Sequence, residues 1–107
     1  MYIYLATPYE KNTAWTFKVG LCEGTLYSKT KNLVSQYQAH LRKSVAFDER
    51  NILHARAVEA TVQELILQDY YSIVHIPNDR FIATPDALLE IYEEFETYVE
   101  RAIIKCK

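Results

Sequence analysis

The 107-residue sequence has few of the residues that mark disordered or cross-linked chains. Two glycines and three prolines are too few for a flexible linker, and half of the residues are hydrophobic. This composition is typical of one packed domain spanning residues 1–107. The two cysteines lie near opposite ends of the chain and have no metal-ligand spacing, which favours a reducing compartment.

Targeting and membrane segments are also missing from the sequence. The N-terminus has no basic segment followed by a long apolar run, as a signal peptide would. No window contains the roughly 18 apolar residues that a membrane span needs. We therefore expect a cytoplasmic or nuclear protein without a membrane partner.

Charge is unevenly distributed, although the net charge is only −2. Residues 1–56 contain eight basic and four acidic residues, a balance of +4. Residues 57–107 contain four basic and ten acidic residues, a balance of −6. A polyanion such as nucleic acid would therefore prefer the first half of the chain. Alternatively, the acidic residues simply solvate the last helix.

Hydrophobic periodicity predicts an α+β fold, a small antiparallel sheet packed by helices in the order ββαβα, hairpin, α. The predicted strands are rich in aromatic and β-branched residues, and they cover residues 2–7, 15–21, 44–48, 71–76 and 80–83. A polar loop over residues 8–13 joins the first two strands. The first predicted helix starts at Ser28 or Thr30 and runs to about Arg42, and the second covers residues 53–68.

The final predicted helix runs from Pro85 to about Ile104, with Thr84 as its N-cap. Its apolar stripe lies opposite an acidic face. The stripe is long enough to seat a second copy, so a homodimer through this C-terminal helix is one alternative. Packing on the chain's own sheet is favoured, because a small sheet needs a helix to cover it.

Two short motifs resemble those of the GIY-YIG nuclease superfamily. Tyr2, Ile3 and Tyr4 match the first motif, and residues 18–20 match the second, with lysine in place of its tyrosine. A second motif of this form is similar to that of a branch found in phages and large DNA viruses. Other segments resemble that branch's first helix, its glutamate-bearing helix and its last strand: residues 33–37, 57–59 and 80–84.

The resemblance implies a GIY-YIG-like fold and a divalent-metal-dependent endonuclease that hydrolyses phosphodiester bonds in nucleic acid, DNA in the first instance. It implies one Mg²⁺ or Mn²⁺ held by Glu59, since Mg²⁺ keeps several waters and one carboxylate suffices. Tyr4 is expected to position or deprotonate the attacking water. A phenol needs a nearby cation to act as a base at neutral pH, and Lys18 on the neighbouring strand is the candidate. The remaining motif residues are structural: Tyr2, Ile3, Val19 and Gly20.

One feature departs from the family pattern. The family has an arginine near the start of the first helix, where residues 28–33 contain none. Lys29 and Lys31 are the candidate catalytic cations in its place, although lysine cannot reproduce the bidentate grip of a guanidinium on phosphate. We expect Arg42 and Lys43, at the far end of the same helix, to extend the basic strip. The predicted nucleic-acid-binding residues are Lys18, Lys29, Lys31, Arg42 and Lys43.

Each candidate also has a purely structural interpretation. Tyr4 can be a half-buried sheet tyrosine and Lys18 a solvated edge residue. Arg56 lies three residues before Glu59 and can pair with it on the helix surface. The three histidines lack ligand spacing and are interpreted as structural: His40, His54 and His75.

Two functions stay open at this point. The first is an endonuclease, weak or eroded because the arginine is missing. The second is a catalytically inactive module of the same fold that binds nucleic acid or a protein partner.

Overall fold

The structure is a computed structural model that describes residues 1–10 and 13–107. Its elements, in chain order, are β1 (Tyr2–Pro8), β2 (Phe17–Cys22), α1 (Leu26–Tyr37), β3 (Ala39–Ala46), α2 (Ile52–Asp69), β4 (Val74–Ile76), β5 (Arg80–Ile82) and α3 (Pro85–Lys105). The strands form one antiparallel sheet in the order β3-β1-β2-β5-β4. The predicted α+β class and element order are therefore confirmed. The predicted loop over residues 8–13 includes Lys11 and Asn12, which lie outside the described residues.

The sheet lies between two layers of helices. Tyr4 and Ala6 of β1 face α1 and pack in one cluster with Leu33. Ile3 and Leu5 point to the opposite face, where α2 and α3 cover them. Side chains alternate along a strand, so a single strand supplies both cores.

Helix α3 uses its apolar stripe within the chain. The Thr84 hydroxyl caps its N-terminus by accepting a hydrogen bond from the Ala87 N–H at 3.2 Å. The residues of its stripe are buried against α2 and the sheet: Ile91, Phe95, Tyr98, Val99 and Ala102. The acidic residues on its opposite face are exposed: Glu90, Glu93, Glu94, Glu96 and Glu100. This stripe therefore covers the chain's own sheet.

The start of α1 differs from the prediction. Thr25 is its N-cap, with its hydroxyl accepting from the Ser28 N–H at 3.1 Å. Ser28 and Thr30 thus lie inside the helix. The Thr30 hydroxyl donates to the Leu26 carbonyl, so its polar group is satisfied within the helix without a cap.

The end of α1 also differs, and this changes the position of two candidate residues. Gln38 adopts a left-handed conformation with φ of 52°, and its N–H turns back to the carbonyls of Leu33 and Val34. The predicted continuation of the helix to Arg42 is wrong, because residues 39–46 pair with β1 along its whole length. The spacing of Leu41 suits a helix, but the free edge of β1 provides hydrogen bonds that only a strand can satisfy.

Strand β2 is paired with β5 over only part of its length. Phe17 and Lys18 oppose β5, and beyond them the strand edge faces α2. There the buried Gln63 amide donates to the Val19 carbonyl at 3.0 Å. Helix α2 therefore closes the sheet edge, and residues on its edge-facing side reach the layer occupied by α1.

Neither a membrane helix nor a disulfide occurs in the part of the chain that the structure describes. No helix there combines the length and the apolar character needed to cross a bilayer. Cys22 and Cys106 are both free thiols.

Candidate functional site

A polar cavity of about 210 Å³ opens where α1, α2, the β1–β2 pair and the β4–β5 turn meet. Its lining includes the phenol of Tyr4, the backbone of Gly20 and four charged side chains: Lys18, Lys29, Glu59 and Asp79. Tyr4, Lys18 and Glu59, which the motifs singled out, therefore line one cavity. They belong to three separate elements, so only the tertiary fold brings them together.

Tyr4 and Gly20 are direct cross-strand partners, and the tyrosine ring lies over the glycine. A Cβ at position 20 would overlap the ring and the hydroxyl of Tyr4. Glycine is therefore required here by close approach. The motif glycine and the motif tyrosine form one structural unit.

The Tyr4 hydroxyl opens onto the cavity without a protein partner. Tyr4 is 2% exposed, and no described residue hydrogen-bonds its hydroxyl. Burial, reinforced by the charge of Glu59, raises the pKa of Tyr4 above that of a free phenol. This is opposite to the expectation that Lys18 makes the phenol more acidic. Tyr4 therefore meets the cavity as a neutral hydroxyl that can orient a water molecule.

Lys18 is a buried ammonium, so its interpretation as a solvated edge residue is wrong. It is 6% exposed, and its Nζ donates to the Asn78 carbonyl at 2.9 Å. It also lies 5.0 Å from the centre of the Tyr37 ring. Burial lowers the pKa of Lys18, while the carboxylates of Asp79 and Glu59 act in the opposite direction. An ammonium has three donors, so further N–H groups remain for an anion in the cavity.

Glu59 is partly buried, and its carboxyl group is easier to protonate than a free one. Burial first, and then the charge of Asp79, raises the pKa of Glu59 to about 7, with Lys18 and Arg56 opposing. The alternative interpretation, a surface pair with Arg56, is not formed within 4.0 Å, since the ion pairs among the described residues are His54–Glu49 and Arg101–Asp69. The carboxylate therefore faces the cavity instead of a neighbour on its own helix.

Helix α1 brings one of its two candidate lysines to the site. The Lys29 Nζ lines the cavity and lies 5.6 Å from the centre of the Tyr4 ring. Lys31 points elsewhere, with its Nζ 4.5 Å from the centre of the exposed Tyr27 ring. Residues two apart face different sides of a helix, which explains the separation.

Arg42 and Lys43 do not extend the basic strip. They belong to β3, on the sheet face that α3 covers. The Arg42 Nε donates to the Thr7 hydroxyl at 2.7 Å, and the Lys43 Nζ donates to the Tyr92 carbonyl at 2.7 Å. Their predicted place at the end of the first helix is therefore wrong, and the sheet separates them from Tyr4.

The three histidines lie outside the lining of this cavity. His54 bridges Glu49 and the Cys106 carbonyl, which ties the start of α2 to the end of α3. The rings of His75 and His40 pack on aromatic rings, those of Phe81 and Tyr9 respectively.

Sequence reasoning missed Asp79. It lies in the segment Pro77-Asn78-Asp79, whose residue types indicate only a hairpin turn. Its place over β2 depends on the pairing of β5, which no local pattern encodes. A carboxylate at a hairpin turn gave no signal of its own.

The donor set fits a divalent cation. Glu59 and Asp79 could supply oxygen ligands, the Tyr4 hydroxyl has no hydrogen-bond partner among the described residues, and the cavity has room for several water molecules. Within the described ranges, no three His, Cys, Asp or Glu side chains form a metal-holding group. Mg²⁺ does not require one, because it keeps most of its waters.

Comparison with known proteins does not assign this chain to a family. No protein-family model matches the chain, and no curated protein or solved structure matches it.

Proposed function

We propose that this chain is a divalent-metal-dependent endonuclease of the GIY-YIG type that hydrolyses phosphodiester bonds in nucleic acid, in the first instance DNA. The observation that carries the proposal is the shared cavity. It combines the phenol of Tyr4, the ammonium groups of Lys18 and Lys29, and the carboxylate of Glu59. These are the groups that the motifs pointed to.

Phosphodiester hydrolysis needs an aligned water, a countercharge for the phosphate and a stabilised leaving oxygen. A bound divalent cation neutralises phosphate charge and lowers the pKa of water. Glu59 would hold the cation, and the Tyr4 hydroxyl would orient the attacking water by a hydrogen bond. Lys18 and Lys29 would face the charge that develops on the phosphate.

A neighbouring cavity offers a path for the flanking strand. It has a volume of about 370 Å³ and shares Lys29 and Glu59 with the site, and Arg56 contributes to its lining. Arginine binds phosphate bidentately, so Arg56 suits a backbone contact beside the scissile bond. At the reacting phosphate itself Lys29 offers only a point charge, and we expect slow turnover.

A specific observation favours a second candidate, an inactive module of the same fold. Among the described residues no arginine lines the cavity that contains Tyr4, so the bidentate grip of the family is missing at the reacting phosphate. In that case Lys18 and Lys29 would hold nucleic acid without hydrolysing it.

Plasmid cleavage distinguishes the two candidates. The full chain is incubated with supercoiled plasmid DNA and Mg²⁺ or Mn²⁺, and in parallel with EDTA. The endonuclease predicts metal-dependent nicking that Glu59→Gln and Tyr4→Phe abolish or strongly reduce. The matched controls are Glu64→Gln, an exposed acid on the same helix, and Tyr27→Phe, an exposed tyrosine on α1.

The negative outcomes are also informative. Salt-sensitive DNA binding without cleavage by the wild-type chain would support the inactive module. Absence of both cleavage and nucleic-acid binding would exclude the endonuclease and a module that binds nucleic acid. A module that binds a protein partner would then remain.

A further inference from the structure

The turn between β4 and β5 is built tightly against the site. Asn78 and Asp79 both have left-handed backbones, with φ of 66° and 57°. Asparagine and aspartate tolerate this conformation better than most residues. Two contacts hold the turn on β2: the Lys18 Nζ donates to the Asn78 carbonyl at 2.9 Å, and the Val19 N–H donates to the Asp79 carbonyl at 3.2 Å.

The anchored turn brings a second acid to the cavity. Asp79 lines it together with Glu59, although the two residues belong to different elements. No described basic residue forms an ion pair with either of them within 4.0 Å. Carboxylate oxygens are the ligands that Mg²⁺ and Mn²⁺ prefer, so two acids without an ion-pair partner in one cavity can share such an ion.

A third group points independently to a ligand at the same place. The side chain of Tyr4 is almost fully buried, yet its hydroxyl has no partner among the described residues and opens onto the cavity. No buried side-chain oxygen or nitrogen among the described residues lacks a partner, so the Tyr4 hydroxyl oxygen is accessible from the cavity and bonds to whatever the cavity contains. A hydrated cation held by the two carboxylates would supply that partner through its waters.

We infer that Asp79 is a second carboxylate of the cation site and holds the divalent metal together with Glu59. The inference rests on the proposed function for its metal. It adds a ligand from the β4–β5 turn to the single glutamate that the motifs indicate. The left-handed backbone of residue 79 then has two uses, since it closes the hairpin and directs an acid into the cavity.

Direct metal binding tests this inference without DNA and without any activity measurement. Mn²⁺ is titrated into the metal-free full chain, and the free ion is quantified by electron paramagnetic resonance. Asp79→Asn is the informative variant, because asparagine also accepts the left-handed backbone and removes only the charge. We expect Asp79→Asn to weaken Mn²⁺ binding by about tenfold or more, and Glu59→Gln to abolish it.

Glu96→Gln is the matched control, since Glu96 is an exposed acid on α3 and lines neither the site nor the neighbouring cavity. We expect it to change Mn²⁺ affinity by less than about twofold, as a distant screened charge should. Thermal unfolding of each variant in EDTA establishes that its fold is retained.

Two results would overturn the inference, and they are distinguishable. If Asp79→Asn binds Mn²⁺ as tightly as wild type while Glu59→Gln does not bind, Asp79 is not a ligand, and the proposed function is unaffected. If the wild-type chain binds no Mn²⁺, the inference fails together with the metal-dependent nuclease.

Discussion

Tyr4 keeps its position because residue 20 has no side chain. The phenol lies over the backbone of Gly20, and a Cβ there would displace both the ring and the hydroxyl. Gly24, four residues later, has no atoms within 4 Å of the place where a Cβ would be. A side chain at position 24 therefore has space, whereas a side chain at position 20 does not.

This contrast gives a prediction for the site. Gly20→Ala should lower the rate of DNA cleavage by about 100-fold, because a shift of about 1 Å in the position of a catalytic group lowers the rate by about that factor. It should also lower the free energy of unfolding by about 1–3 kcal/mol through overpacking. Single-turnover cleavage and urea unfolding measure the two effects. Gly24→Ala should change neither appreciably, and equal effects from both variants would contradict the proposed contact.

Glu59 makes the stability of the metal-free chain depend on pH. Its pKa is about 7 in the folded chain and about 4.3 in an unfolded one. Between these values the folded state binds more protons than the unfolded state. The free energy of unfolding therefore falls as pH rises through this window.

The corresponding prediction compares Glu59→Gln with wild type in EDTA. The variant cannot ionise, so its stability relative to wild type should rise from about pH 5 to about pH 8. After allowance for partial exposure, we expect a gain of roughly 1–2 kcal/mol above pH 7. Urea unfolding at both pH values measures it, and added Mn²⁺ should reduce the difference. An unchanged difference between the two pH values would show that Glu59 is not perturbed.

At the scale of elements, the end of α1 decides which residues can reach the site. Gln38 ends the helix with a left-handed backbone, and its carbonyl then accepts from the Tyr9 N–H at 2.9 Å. The chain turns into β3 at this point, so Lys29 stays on the site face while Arg42 goes to the other face. A non-glycine residue in this conformation is strained.

Replacement of this residue should therefore stabilise the chain. We predict that Gln38→Gly raises the free energy of unfolding by about 0.5–1 kcal/mol, because glycine adopts the left-handed conformation without a steric cost. Ser35→Gly is the control on an exposed turn of the same helix, and it should destabilise by roughly 0.5 kcal/mol. Urea unfolding of both variants checks the signs. Destabilisation by Gln38→Gly would argue against the observed end of the helix.

For the whole molecule, the sheet sorts the basic residues of the first half. Lys18 and Lys29 lie at the cavity, with Arg56 beside it, whereas Arg42 and Lys43 bond to groups on the opposite face. The exposed acids of α3 form a further surface that repels a polyanion. Nucleic acid, the proposed substrate, should therefore contact only the face that carries Lys18 and Lys29.

Salt dependence of DNA binding tests this distribution. Each lysine that neutralises a phosphate adds about 1 to the slope of log K against log salt concentration. Lys29→Ala should lower the slope by about 1, and Arg42→Ala, the control on the other face, should leave it unchanged. Fluorescence anisotropy with a labelled duplex measures both slopes in the presence of Ca²⁺. A loss of slope in Arg42→Ala would place the interface on the α3 face.

Local patterns were sufficient for much of the fold. The aromatic and β-branched residues of segment 2–7, the stripe of α3 and the Thr84–Pro85 start each depend on neighbours a few residues apart, and each predicts bounds close to the observed ones. The end of α1 was not predicted correctly. Leu41 continues the helical spacing of apolar residues, and only the pairing of residues 39–46 with β1 makes this segment a strand.

The site divides in the same way. The types and spacing of Tyr4, Lys18 and Glu59 are properties of the sequence by itself, and their resemblance to the GIY-YIG motifs nominates these residues. Their meeting in one cavity, the burial of Lys18 and the entry of Asp79 depend on which strand edge α2 closes and which strand β5 pairs with. Those contacts join segments far apart in the chain, so their register is decided by packing of the whole molecule and not by any local period.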